Sequence, residues 1–333
     1  MSKLNVFQTT RAMSEIVVKH PDLLAAEKAI EDSIVTSPYE TEPNNILVTG
    51  DSGLGKTTLC KIIMENHPTQ KRDFKLGKRD LKPILAASLP SPVTPKSLAS
   101  AMLSGLGQNN CEVGTTMSLT KRLGEYLSES GVQLIILDEF QHLYSVGAAR
   151  HGDACRPLRE VQDWIKSLLN NTKVPIVLVG MPECETLLNC EPQIARRFPY
   201  VFKLSPFSME SDEKIQIFAE FCNALSIEIT NRVPGFGDFV DFSEPSHFNL
   251  YRLHAATEGK PSAIKSLMMK ATHIALDENR PEVTLLEFAK AYDGPLGSSK
   301  SQIRARFPGN PFSASIDQVM AHVHKPGIIF KAS

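Results

Sequence analysis

The most informative stretch of the chain is Gly50-Asp51-Ser52-Gly53-Leu54-Gly55-Lys56-Thr57. It fits the pattern G-x-x-x-x-G-K-[ST]. It stands between the apolar run Ile46-Leu47-Val48-Thr49 and a segment, Thr57 to Met64, that reads as helix. Strand, glycine-rich turn and helix start, in that order, make a phosphate cradle. The glycines let successive backbone N–H groups turn inward onto phosphate oxygens, and the helix start adds a favourable dipole. In this reading Gly50 through Thr58 bind the nucleotide, Lys56 reaches the β- and γ-phosphates, and the Thr57 hydroxyl binds Mg²⁺.

Further along lies Leu134-Ile135-Ile136-Leu137-Asp138-Glu139. An apolar strand ending in a carboxylate puts Asp138 at the carboxyl edge of a sheet, beside the phosphate loop, where such folds bind ligands. Asp138 is expected to hold the Mg²⁺ shell and Glu139 to orient or deprotonate the attacking water. A strand ending in Asp-Glu also occurs as a plain surface turn; beside a phosphate loop it points to hydrolysis of a nucleoside triphosphate. The run Gln193-Ile194-Ala195-Arg196-Arg197-Phe198 precedes another strand. An arginine there can project across a subunit interface onto a neighbour's γ-phosphate, or simply be solvated at a helix end.

Strands at Ile46–Thr49, Ile84–Leu89, Gln133–Asp138, Val174–Gly180 and Tyr200–Leu204 alternate with helices. This predicts an α/β fold, a parallel five-stranded sheet with helices on both faces. After Pro206 the pattern predicts helices alone, near 211–225, 247–257, 261–278 and 284–292. The expected partition is an N-terminal segment and helix flanking the nucleotide site (1–45), a nucleotide-binding domain (46–206), a small helical domain (207–293) and a basic, flexible tail (294–333). The stretch 71–82 shows little periodicity and reads as a loop.

Composition agrees with a folded chain. Of 333 residues, 42% are apolar and 22% charged, which excludes a disordered, collagen-like or coiled-coil protein. No apolar run approaches the roughly 20 residues of a membrane span. The start MSKLNVFQTT lacks a signal peptide's apolar core, so a cytoplasmic location without membrane attachment is expected. The six cysteines show no CxxC or Cys/His cluster, and the spacing of Cys184 and Cys190 matches no zinc motif. Net charge is −1, but it is uneven. Residues 71–82 carry six basic and two acidic side chains, 207–293 carry fourteen acidic and eight basic, and the tail from Pro295 carries five basic and one acidic. A neutral total can hide a basic groove, so nucleic-acid binding stays open.

The order of these motifs resembles the AAA+ ATPases, and within them the TniB/TnsC transposition regulators of targeted, Tn-seven-like or CRISPR-associated transposons. The resemblance runs from about Pro21 to Tyr292. It rests on VTGDSGLGKTTL, LIILDEFQHL, VPIVLVGMPE and QIARRF, with PVTPKSLASAML and TEGKPSAIKSL also similar. The first two motifs are shared by many AAA+ proteins; VPIVLVGMPE followed by an arginine-phenylalanine pair is more specific. The resemblance implies an ATP-dependent oligomer, a heptameric or similar ring or a helical filament, that binds duplex DNA through its backbone. It also implies recruitment of a transposase and a link to a target-selection protein or guide-RNA complex. By position it makes Lys56 and Thr57 the phosphate-loop pair, Asp138 the Mg²⁺ ligand and Glu139 the catalytic base. Arg197, directly before Phe198, matches the arginine finger better than Arg196. Lys96 and Thr115 match the family's contacts to DNA phosphates. Lys96 also reads as an ordinary solvated lysine.

Three positions depart from the family. Met181 stands where relatives often have Thr or Asn and cannot bond a γ-phosphate. The small-domain sensor arginine is missing from TEGKPSAIKSL, with Lys260 or Lys265 as substitutes. The tail beyond Gly294 has no counterpart, and its Asn310-Pro311-Phe312 reads either as a peptide that docks a transposase or as a disordered end. Slow hydrolysis would suit a switch. Two other readings stand beside this one: a helicase- or initiator-loading AAA+ ATPase of replication, and, more remotely, a small-molecule phosphotransferase.

Overall fold

The computed structural model describes residues 3–74, 77–91, 93–143, 156–189, 192–233, 236–294 and 307–324. The chain divides into two compact units: Pro21–Leu204, and Met1–His20 together with Ser205–Ser333.

The first unit carries strands β1 (Ile46–Thr49), β2 (Gln70–Phe74), β3 (Gly77–Leu81), β4 (Ile84–Ser88), β5 (Leu134–Asp138), β6 (Ile176–Gly180) and β7 (Tyr200–Lys203). Five of them form one sheet in the order β4-β5-β6-β1-β7, with every neighbouring pair parallel. All residues of β1 and β6 are buried, as expected where helices cover both faces of a parallel sheet. Alternation along each strand sorts the side chains. Leu47, Leu85, Ile135, Leu137 and Leu178 join a core with Leu98, Leu119, Leu123 and Trp164 from the helices Pro95–Gly105, Thr116–Glu129 and Arg156–Thr172. Val48, Ile84, Ile136, Val177 and Val179 join the opposite core with Leu23, Ile30, Leu59 and Ile63 from Pro21–Thr36 and Lys56–Asn66. Each such side chain contributes about 1.5–3 kcal/mol of burial free energy, so the central strands are held from both faces. The register aligns Thr49 with Gly180 and Leu137 with Leu178, which brings the carboxyl ends of β1, β5 and β6 to one edge.

One connection differs from expectation. The stretch 71–82 is no loop: β2 and β3 form an antiparallel hairpin that pairs Gln70 with Leu81 and Phe74 with Gly77. A two-stranded ribbon is laddered by main-chain groups, and its hydropathy pattern does not announce it.

The second unit is built on the helices Asp212–Arg232, Phe248–Thr257, Pro261–Asp277 and Leu285–Asp293. It is not purely helical, because β8 (Asp238–Phe239) and β9 (Glu282–Val283) pair in parallel. The N-terminal helix Lys3–Ser14 belongs here: Met13 and Ile16 are buried in this core, and Lys265 Nζ donates to the carbonyls of Ser14 (2.7 Å) and Ile16 (2.6 Å). Residues 1–20 therefore group with the C-terminal unit rather than with 21–45.

The expected flexible tail is also corrected over residues 307–324. Phe307, Phe312 and Val319 are buried, and Ile316–Val323 is helical with Ser315 as its N-cap. Phe312 stacks on Phe288 with ring centroids 5.2 Å apart. Arg252 Nη1 donates to the carbonyls of Pro311 and Ala314, and Asn310 Nδ2 donates to the Ala289 carbonyl (2.9 Å) and to the Asp293 carboxylate at Oδ2 (2.8 Å). Asn310-Pro311-Phe312 is thus packed on its own unit and not extended as a free docking peptide. The basic residues at 300, 304, 306, 325 and 331 lie outside the described residues. Among the described residues, no helix is long and apolar enough to cross a membrane.

Candidate nucleotide site

The loop after β1 is shaped by glycine. Gly53 and Gly55 have φ of 87° and 103°, the left-handed region that glycine enters without strain, and Gly55 caps the helix that begins at Lys56. At Gly50 the demand is steric: a Cβ would lie 2.8 Å from the Leu204 carbonyl oxygen. The Gly50 N–H donates to Gly180 O at 3.3 Å, which ties the loop to the end of β6. Leu54 is buried and anchors the loop in the core, Thr58 is half-buried, and Asp51, Ser52 and Thr57 face solvent.

Lys56 Nζ donates to the carbonyls of Gly50 (2.5 Å) and Asp51 (2.9 Å) and lies 4.0 Å from Met181 Sδ. Burial pushes its pKa down, against the opposing pull of Asp138, Glu139 and Asp51. Burial pushes the Asp138 carboxyl up. The Glu139 N–H, donating to Asp138 Oδ1 at 2.8 Å, and Lys56 offset part of that rise, while the Glu139 charge adds to it. Both ions are short of compensation in their charged forms. Anionic phosphates would supply it to Lys56 and a divalent cation to Asp138. The Thr57 hydroxyl and the Asp138 carboxylate are hard-oxygen donors of the kind that suits Mg²⁺, which commonly completes its shell with phosphate oxygens and water. Among the described residues no cluster of three His, Cys, Asp or Glu occurs. Cys184 is buried with its thiol pushed up to about 12, and a Cβ on Gly180 would meet its Sγ at 2.4 Å; it packs beneath the end of β6. Cys190 lies outside the described residues.

Glu139 itself takes a left-handed φ of 59°, a conformation that costs a non-glycine residue about 1–2 kcal/mol. Surrounding contacts hold it. The Phe140 N–H donates to Val179 O at 3.0 Å and its ring is buried, so the chain turns sharply at the end of β5. Two residues of the same motif that the sequence reading did not single out face the Glu139 carboxylate. Gln141 Nε2 donates to Glu139 Oε2, while Gln141 Oε1 accepts from the Met181 N–H at 3.1 Å. His142 Nδ1 donates to Leu89 O (2.8 Å), leaving Nε2 4.0 Å from Glu139 Oε2. Only their place in the motif, one residue beyond Asp-Glu, marked them in the sequence.

Lys56, Asp138, Glu139 and Met181 therefore share one edge. Arg197 does not join them within this unit. Its Nη1 donates to Asn170 Oδ1 at 2.9 Å, and its backbone carbonyl accepts from Asn45 Nδ2 at 2.8 Å. With Arg196, which pairs with Glu42 at 3.9 Å, it lines an open cavity of about 730 Å³ bounded by Tyr39–Asn44 and Pro199. Lys96 and Thr115 are exposed, at the starts of the helices Pro95–Gly105 and Thr116–Glu129. Thr115 is the N-cap of the second, accepting from the Ser118 N–H at 3.2 Å. In the other unit, Lys265 is engaged with the N-terminal carbonyls and Lys260 Nζ donates to Glu258 at 2.9 Å.

The family model described as "Bacterial TniB protein" matches residues 10–209. No curated protein matches at the sequence level. Among solved structures, the chain is similar to the Aeropyrum pernix ORC2 protein in its ADPNP-ADP complexes, at 14% identity and a TM-score of 0.56, covering 84% of this chain and 70% of that one. The Aeropyrum pernix ORC1 protein in complex with DNA matches at 18% identity and a TM-score of 0.51, over 82% and 65% of the two chains. Cdc6p from Pyrobaculum aerophilum matches at 14% and 0.52, over 84% and 69%. At such identities these likenesses speak for the fold, the AAA+ nucleotide-binding fold, while the family match spans well over half of the sequence. The chain belongs to the TniB family and is an AAA+ ATPase.

Proposed function

We propose that this ATPase is an ATP-gated, DNA-binding regulator of transposition, which oligomerises on duplex DNA and links a target-selection complex to a transposase. The observation that carries the reading is a phosphate loop with Lys56 and an Asp138–Glu139 pair on one sheet edge, in a chain of the TniB family. On binding ATP, Lys56 exchanges the Gly50 and Asp51 carbonyls for β- and γ-phosphate oxygens. Thr57 and Asp138 would hold Mg²⁺, which would offset the phosphate charge, and Glu139 takes the proton of the attacking water. Arg197 stands away from its own loop, which supports a role toward the nucleotide of a neighbouring copy, in a ring or filament. Lys96 and Thr115 sit at helix N-termini, positions that favour phosphate and carry no base readout. The Aeropyrum pernix ORC1 protein, similar in fold, is in complex with DNA, which supports DNA as a partner.

The test is electron microscopy of the protein with duplex DNA in ATP or ADP, comparing the wild type with Lys56→Ala and Lys96→Ala. The proposal expects rings or filaments that require ATP and Lys56 and weaken without Lys96. A protein that stays monomeric on DNA in every nucleotide state would overturn the assembly and leave the initiator-loader reading.

A further inference from the structure

We propose that Gln141 is a positioning residue for hydrolysis, a two-ended clamp that fixes the Glu139 carboxylate against the main chain of Met181. The inference rests on reading Glu139 as the base. Gln141 Nε2 donates to Glu139 Oε2 and Gln141 Oε1 accepts the Met181 N–H at 3.1 Å. An amide bonded at both its nitrogen and its oxygen cannot turn about its last torsion without breaking one bond, so Glu139 is held to the end of β6. Glutamine is suited to this place because it carries a donor and an acceptor on one planar group. Leucine offers neither, and glutamate would set a second carboxylate against the first.

Gly180 makes room for the clamp. At Gly180 a Cβ would come within 2.9 Å of Gln141 Oε1, so any other residue there would push the amide aside. Glu139 adopts its left-handed φ of 59°, and strain of this kind persists where the surroundings over-determine it. The arrangement also accounts for Met181. Its thioether is at best a weak acceptor, and the polar link at the end of β6 runs instead through its main-chain N–H to Gln141 and on to Glu139. A change at the end of β6 would in this way be felt at the base directly.

The test measures kcat and KM for ATP with the full chain, Mg²⁺ and duplex DNA, for Gln141→Leu, Gln141→Glu, Glu139→Gln and the double variant Glu139→Gln/Gln141→Leu. Gln141→Leu is expected to lower kcat by about tenfold or more with KM within about twofold of the wild type, and Gln141→Glu to lower kcat at least as far. Since Gln141 acts through Glu139, the double variant should be no slower than Glu139→Gln alone. A role confined to packing would instead slow the double variant further, and that result overturns the clamp. So does a Gln141→Leu enzyme that is as fast as, or faster than, the wild type. If Glu139→Gln itself keeps its turnover, the assignment of the base fails first, and the clamp falls with it.

Discussion

Asn45 offers a quantitative check on how the ATPase unit is braced. It sits just before β1, almost fully buried, with Oδ1 accepting the Ile176 N–H and Nδ2 donating to the Arg197 carbonyl, both at 2.8 Å. One side chain thus ties the starts of β1 and β6 to the turn that carries Arg197. Asn45→Ala removes both bonds. The Ile176 N–H belongs to a residue with 0% exposure and would be left without partner or water, at a cost of about 2 kcal/mol. The Arg197 carbonyl is on a half-buried residue and can partly rehydrate, which costs about 1 kcal/mol more. The expected loss is about 3 kcal/mol. Trp164 is the only tryptophan of the chain and lies in the same unit, its Nε1 donating to Thr120 Oγ1 at 2.8 Å. Equilibrium denaturation followed by its emission therefore reads the Pro21–Leu204 unit by itself, which matters because a chain of two units need not unfold in one step. If Arg197 serves a neighbouring copy as proposed, the released turn should also lower ATP turnover in the presence of duplex DNA while leaving nucleotide affinity at the Lys56 loop unchanged. A stability loss below about 1 kcal/mol would refute the bracing role.

Two further outcomes concern the other unit. Phe312→Ala should remove about 3 kcal/mol of packing against Phe288 and Tyr292, and hydrogen exchange should show lost amide protection across residues 310–323; unchanged protection would mean that the segment is held some other way. His254 is one pH-sensitive group: burial holds its pKa below the ordinary histidine value, and its Nε2 donates to Phe207 O at 3.1 Å. The unfolded chain takes up this proton near pH 6.5 and the folded one only at lower pH, so the unfolded state binds more protons as pH falls. Stability should accordingly decline from pH 7 toward 5.5, by up to about 1.4 kcal/mol per pH unit for this one group, with His273 shifted in the same direction. Denaturation midpoints measured across that range should flatten in His254→Gln, and an equal slope in the two proteins would assign the effect elsewhere.

How much of this fold was legible in the chain follows from what each element is held by. β1, β5 and β6 are continuous apolar runs because both faces of a parallel sheet are covered, and runs such as Leu134-Ile135-Ile136-Leu137 could be read directly. The hairpin of β2 and β3 could not, since its pairing is carried by the backbone of a charged stretch. The segment 307–324 was hidden for a different reason. Its buried residues, Phe307, Phe312 and Val319, are too widely spaced among Gly, Pro and Ser to make a periodic pattern, and the hydrogen bonds that fix it come from Arg252 and Asn310 through main-chain carbonyls. No local pattern encodes such tertiary partners. The place of the N-terminal helix is hidden in the same way, since Lys265, more than 200 positions along, receives the carbonyls of Ser14 and Ile16.

At the candidate site the legible part was the part whose chemistry demands residue types at fixed spacing. A phosphate loop needs its glycines and lysine in consecutive order, so Gly50 to Thr57 could be read without any tertiary information. The setting of Glu139 depends on contacts that spacing does not reveal. A glutamate at a strand end reads as a base only if something aims it, and here the aim comes from a left-handed backbone, from the amide of Gln141 and from the empty side of Gly180. Each of these is ordinary alone, and a glycine ending a strand or a glutamine after an acidic pair carries no signal. Placed together, they give the site a mechanical link between β5 and β6. Met181 then ceases to look like a loss. Once the polar contact at the end of β6 is made by the main chain, the side chain at 181 is released from making it, and its sulfur is free to pack 4.0 Å from Lys56 Nζ.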